Sequence, residues 1–162
     1  MGAPTPFSVA ASLRYADEAL SRAPALPHIE RPEPRGEFVA RFVLPLKLCL
    51  SFNTVGRAGT ASSTRQLGAM KKAARDMMAI QVGYRFPKKP LEGRPQVLVC
   101  RFSSVEPDID GGWTKNPVDR LKKGTNGLGF IVDDKPRAAR VQPWWEPAPP
   151  SSGFVYVEVR TG

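Results

Sequence analysis

Gln96-Val97-Leu98-Val99-Cys100-Arg101, inside the run from Pro95 to Phe102, decides the fold class. β-branched and large apolar residues, bounded by proline on one side and polar residues on the other, predict a buried strand. Downstream, Asn116-Pro117-Val118-Asp119 predicts a helix start. Asn116 is the expected cap, Pro117 suits the first helical position and Asp119 complements the helix dipole. Gly124 ends this helix early. Upstream, Leu67, Met70, Ala74 and Met77 recur at helical spacing, with Thr64 as the expected cap. Phe38 to Leu50 predicts a strand that bends or lies at an edge, because Pro45 interrupts it. Phe130-Ile131-Val132 predicts a brief strand, and Phe154 to Val159 a final one. Strand, helix, strand, helix, strand, strand is the order of an α+β domain: a small mixed or antiparallel sheet with two helices.

That domain spans residues 37–162. Residues 1–36 form an N-terminal extension of different character. Ala11 to Arg22 has Leu13, Ala16 and Leu20 on one helical face, and Pro24, Pro27, Pro32 and Pro34 then break regular structure. The extension is read as an appendage, either partly disordered or folded over the main domain.

Composition removes whole function classes. The 17 prolines in 162 residues, about twice the usual ~5%, exclude long bundles and coiled coils. Apolar runs fall far short of the ~20 residues a membrane span needs, and none follows the start as a signal peptide would. Pro6 stands where a myristoylation signal wants Ser or Thr. The single histidine, His28, lies in the proline-rich stretch, which argues against Ser-His-Asp and Cys-His enzymes. Cys49 and Cys100 sit in apolar runs without CxxC spacing, so buried thiols in a reduced, cytoplasmic protein are expected. The formal charge of +9 and pI near 10.0 point to a polyanion, nucleic acid before a membrane surface.

The informative residues of this basic chain are acidic. Asp108 and Asp110 flank Ile109, so in extended backbone both aim to one side; Asp133-Asp134 follow the predicted strand ending at Val132. If that strand lies beside the Asp108 segment, Asp133 or Asp134 completes a carboxylate cluster, which needs a compensating cation. Oxygen-only ligands suit Mg²⁺ or Mn²⁺, able to activate water for phosphodiester hydrolysis. The plainer alternative is a set of turn aspartates. An EF-hand is excluded because Trp113 stands at the position requiring glycine. Gly124 to Gly129 lacks the GK[ST] ending of a phosphate loop and is read as a simple loop.

Asp108-Ile109-Asp110, Lys115, Val118-Asp119-Arg120-Leu121 and Ile131-Val132-Asp133-Asp134, in that order, resemble the RusA-type Holliday junction resolvases. The resemblance covers roughly residues 37–162. It implies a homodimeric, Mg²⁺-dependent endonuclease (Mn²⁺ being the alternative ion) that resolves branched DNA in recombination and repair. Asp108, Asp110 and Asp134 are then the metal ligands, and Lys115 assists at the scissile phosphate. Two departures stand out: Gly111-Gly112 where the family has Asn, and one extra residue before Lys115, with the helix expected to begin only after that lysine. Asp133 is expected to face away from Asp134, as successive strand residues do.

Candidate DNA contacts are Asn53 and Arg57 in the loop after the first strand, and Lys71, Lys72 and Arg75 on the helix that follows. The plainer reading of those helix cations is a solvated face. Trp113 and Trp144-Trp145 are read as packing residues before base-stacking ones. The alternative function is a basic nucleic-acid-binding protein on the same scaffold, without cleavage.

Overall fold

The computed structural model describes residues 6–52, 61–108 and 111–162. It is an α+β structure built on one four-stranded mixed sheet. The strands are β1 (Phe38–Pro45), β2 (Gln96–Ser103), β3 (Arg140–Pro147) and β4 (Phe154–Arg160), in the order β1-β4-β2-β3. β4 runs antiparallel to both β1 and β2, while β3 is parallel to β2. The helices are α1 (Val9–Leu20), α2 (Ala61–Gln81) and α3 (Lys115–Leu121).

Both faces of the sheet are covered. Phe42, Leu44, Val97, Val99, Val155 and Val157 point to one face, against Met70, Ala74 and Met78 of α2 and Val118 and Leu121 of α3. Val43, Leu98, Cys100, Phe102, Phe154 and Tyr156 point to the other, where Ala16 of α1 packs. Strands buried on both sides read as continuous apolar runs, which is why β2 shows no polar alternation. Trp113 and Trp144 are buried, one in each core, as packing residues. Burial pushes the Cys49 thiol up to about 12 and the Cys100 thiol well above its ordinary value.

Four element assignments differ from the sequence expectation. β1 stops at Pro45, and Leu46–Leu48 form a 3-10 turn where the strand was expected to continue to Leu50. Pro45 cannot donate to a ladder, so the chain leaves the sheet there. α2 begins at Ala61, three residues before Thr64, which is therefore inside the helix and not its cap. Phe130-Ile131-Val132 forms no strand; it makes one isolated bridge, Ile131 with Lys122. The strand in its place in the order is β3, whose Pro143 and Pro147 disguise it and are tolerated because it lies at the sheet edge.

The other edge is managed by a side chain. The Gln81 amide accepts from the Val43 N–H at 2.9 Å and donates to the Val43 carbonyl at 2.8 Å, mimicking a neighbouring strand on β1. The N-terminal segment is anchored by Arg31. Its guanidinium makes two bonds to the buried Glu146 carboxylate, at 2.9 and 2.6 Å. It also donates to the carbonyls of Ala19, Leu20 and Arg22, which close α1. Trp144 Nε1 gives Glu146 a third bond at 2.9 Å. Among the described residues, no helix is long and apolar enough to cross a membrane.

Removing Arg31 leaves the Glu146 charge buried without its cation, and such losses cost about 3 kcal/mol. Arg31→Ala is expected to lower unfolding free energy by that order in urea denaturation. Lys89→Ala, which breaks the exposed pair with Glu92, is expected to change it by less than about 0.5 kcal/mol.

Candidate active site

α3 positions the site, and Asn116 positions α3. Asn116 is fully buried, and its Nδ2 donates to the Leu48 carbonyl at 2.8 Å and the Met70 carbonyl at 3.3 Å. One amide thus joins the helix start to the 3-10 turn after β1 and to the middle of α2. It does not cap the helix, as the sequence had suggested. Lys115 is the first helical residue and Pro117 the third, where its missing N–H has no helical partner to lose. The helix was expected to begin after Lys115; the structure includes it.

Before α3 the chain passes through a short 3-10 turn, Gly112–Thr114. Gly111 opens that turn with φ +65°, and Thr114 donates to its carbonyl through N–H and Oγ1, at 2.9 and 2.8 Å. Left-handed backbone favours Gly, with Asn the next best tolerated. A Cβ on Gly111 would meet nothing closer than 4.0 Å, so conformation, not space, sets the preference. Asp108, exposed, leads into this turn, its carbonyl accepting from the Gly111 N–H at 3.5 Å.

The glycine-containing loop after α3 brings the second acidic segment to the helix. A Cβ on Gly127 would stand 1.8 Å from the Lys122 carbonyl oxygen, so only glycine permits this return. Gly129 N–H donates to that carbonyl at 3.2 Å, and Phe130 and Ile131 N–H both donate to Leu121 O. The buried Arg120 holds the loop from below, donating to Asn126 O at 3.0 Å.

The result is a network of lysines and aspartates. Lys115 Nζ lies 3.2 Å from Asp119 Oδ1 and 3.8 Å from Asp134 Oδ2. Lys122 Nζ lies 3.5 Å from Asp119 Oδ1, 3.5 Å from Asp133 Oδ1 and 3.4 Å from Asp134 Oδ1. Lys135 reaches Asp133 at 3.9 Å. Partial burial opposes the Lys122 charge, but Asp119, Asp134 and Asp133 outweigh it and raise its pKa above the ordinary lysine value. Hydrogen bonding from Asp134, its backbone N–H included, holds the Asp133 carboxyl below the usual range, with Lys122 adding to the effect.

Lys115 and Asp134 therefore meet. Asp133 joins the network through Lys122, against expectation, because residues 132–134 form no strand, so the two carboxylates need not face opposite ways. Asp119 is the residue sequence reasoning underused. Treated there as a dipole partner, it lies outside the first turn of α3 and touches both lysines. Its four-residue spacing from Lys115 was the available signal. Asp110 lies outside the described residues, as do Asn53 and Arg57. On α2, Lys72 pairs with Asp76 at 2.8 Å, Lys71 sits over the Phe52 ring, and Arg75 sits over Phe86.

The donors gathered here are carboxylate oxygens, the set that suits a hard divalent ion, and they already hold a cation in the Lys122 ammonium. As they stand, among the described residues no three acidic, histidine or cysteine side chains close around a metal-sized position. Elsewhere, a cavity of about 810 Å³ lies between the N-terminal segment and the sheet face carrying Leu98 and Tyr156. Among its charged side chains, Arg41 pairs with Asp17 and Arg160 with Glu158, while Arg31 is held by Glu146.

Because the Asp133 pKa is depressed, its stabilising contribution is present above the unfolded value near 3.9 and is lost as pH falls through the lower folded value. Carboxyl ¹³C NMR titration is expected to place Asp133 below a model aspartate; a midpoint at or above it would refute the arrangement.

The chain matches no family model, no curated protein and no solved structure at a significant level.

Proposed function

We propose that this protein is a divalent-metal-dependent endonuclease that resolves branched DNA, Holliday junctions among them, by phosphodiester hydrolysis. One observation carries the reading. Lys115 and Asp134, nineteen positions apart in the motif that resembles the RusA-type resolvases, lie 3.8 Å apart at the surface with Asp119 beside them.

In this reading Asp108, Asp110 and Asp134 hold a Mg²⁺ or Mn²⁺ ion. When bound, it supplies activation of water and stabilisation of the leaving oxygen. Lys115, half-exposed at the start of α3, meets the scissile phosphate as a mobile point charge. Asp119 restrains that lysine from one turn along the helix. The excess of nine positive charges draws DNA, with Lys71, Lys72 and Arg75 of α2 and the residues Asn53 and Arg57 as its contacts. A homodimer would place two such sites across the two-fold axis of a four-way junction.

One observation favours the alternative of a non-cleaving nucleic-acid binder. The three carboxylates Asp119, Asp133 and Asp134 are matched by three ammonium groups, Lys115, Lys122 and Lys135. A neutralised cluster attracts a divalent ion weakly.

The two readings part on a labelled four-way junction beside a linear duplex, with Mg²⁺ or chelator. Wild type is expected to cut the junction only with Mg²⁺. Asp134→Asn is expected to lose cleavage by orders of magnitude while still binding. Undiminished cleavage by Asp134→Asn overturns the site, and tight junction binding without wild-type cleavage establishes the binder. Binding by either is expected to weaken with salt at about −0.9 log units per log unit of salt for each phosphate neutralised.

A further inference from the structure

Tyr84 stands where a bulky side chain is out of place. Two bonds close the end of α2, Gly83 N–H to Ile80 O and Tyr84 N–H to Ala79 O, both at 2.9 Å. Gly83 takes the left-handed backbone that such a closure uses, at φ +60°. The next residue repeats it. Tyr84 has φ +57°, a conformation that Gly or Asn adopts readily and a large side chain resists. Packing does not offset that strain, because Tyr84 is 62% exposed.

The ring is nevertheless held. Phe86 meets it edge to face, with centroids 6.4 Å apart and planes 73° from each other. The Arg75 guanidinium lies over the Phe86 ring at 5.9 Å, which ties the second aromatic to α2. Around the two rings the chain is basic. Arg85, Lys88 and Lys89 are exposed, and residues 82–91 contain no acidic side chain. Lys89 pairs with Glu92 in solvent, whereas Arg85 and Lys88 have no carboxylate partner among the described residues. Asp76, next to Arg75, is taken by Lys72 at 2.8 Å.

An exposed, supported ring among unpaired cations matches one partner chemistry. A nucleotide offers a flat π face to the ring and a phosphate to the cations. In a duplex the base faces are hidden in the stack, so the partner is a strand with unpaired bases. An apolar protein surface would instead desolvate Arg85 and Lys88 without a counter-charge.

We propose that Tyr84, propped by Phe86, is a stacking platform for an unpaired DNA base, with Arg85 and Lys88 on the flanking phosphates. The platform rests on the nucleic-acid binding common to the nuclease and the binder, and requires neither metal nor cleavage. It explains why a strained, exposed position carries tyrosine.

Fluorescence anisotropy of a labelled oligothymidylate of about 12 nucleotides, within the ~4–16 that single-strand sites span, tests it in chelator beside a blunt duplex. The full-length proteins compared are wild type, Tyr84→Asn, Tyr84→Phe and Tyr84→Leu, each checked by circular dichroism and Tm. Tyr84→Asn removes the ring and suits the backbone; it is expected to weaken oligothymidylate binding about tenfold without lowering Tm. Tyr84→Phe keeps the ring and is expected to stay within about twofold. Tyr84→Leu keeps apolar bulk without a π face and is expected to weaken binding as Tyr84→Asn does. Duplex binding is expected to stay within about twofold throughout, since charge carries it. Equal oligothymidylate binding by Tyr84→Asn and wild type, with duplex bound by both, overturns the platform and leaves the nucleic-acid reading standing. So does a wild type that binds duplex but not the oligothymidylate. A fall in Tm with unchanged binding assigns the ring to packing and also overturns the platform. Absence of binding to either DNA by wild type overturns both. Should Tyr84→Asn fail to fold, Tyr84→Gly takes its place with the same expectation.

Discussion

The site depends on one buried amide. Asn116 spends both hydrogens of its Nδ2 on backbone carbonyls from two other elements, Leu48 after β1 and Met70 in α2. The Met70 carbonyl lies mid-helix, where the α2 ladder supplies its own donor and the amide adds a second, whereas the Leu48 carbonyl ends a 3-10 turn and gains its donor from this side chain. Its Oδ1 has no hydrogen-bond partner among the described residues, which makes the residue costly to bury and marks how much the two bonds must contribute. Lys115 is the residue before it and Asp119 the residue three after. The direction of the Lys115 stem and the height of the Asp119 carboxylate are therefore set by a contact that neither makes.

The loop after α3 is the second constraint, and it is steric. Gly127 lies against the Lys122 carbonyl at a distance no side chain allows. The N–H groups of Leu128 to Ile131 then bond back to carbonyls of residues 120–122, so the loop satisfies the end of the helix as it returns. Asp133 and Asp134 come to Lys122 because of this return. The sheet contributes nothing to bringing them there, which reverses the geometry expected from a strand ending at Val132.

How much of this was legible follows from what each signal measures. β2 and β4 were legible because they are buried on two faces, and burial writes itself into composition. β3 was not: Pro143 and Pro147 read as breakers unless the strand is known to be an edge, and edge position is a tertiary fact. The start of α3 was located to within two residues, but the role given to Asn116 was local, when its partners lie 46 and 68 positions away. Lys115 and Asp134 were named from motif order. Asp119 and Lys122 carry the same chemistry at i and i+3 on one helix, and ordinary surface pairs have that spacing too, so only the folded loop separates them from the background.

The turn before α3 follows the same logic. Gly111 stands at φ +65°, in left-handed backbone, where Gly is favoured and Asn is the next best tolerated. In the Gly112–Thr114 turn that follows, Gly112 sits so close to Ser51 that a Cβ would be 3.0 Å from its Oγ. A turn this tight passes any change in its length to the next helix unless something else holds that helix. Asn116 is that hold, and Lys115, the residue before it, meets Asp134 at 3.8 Å.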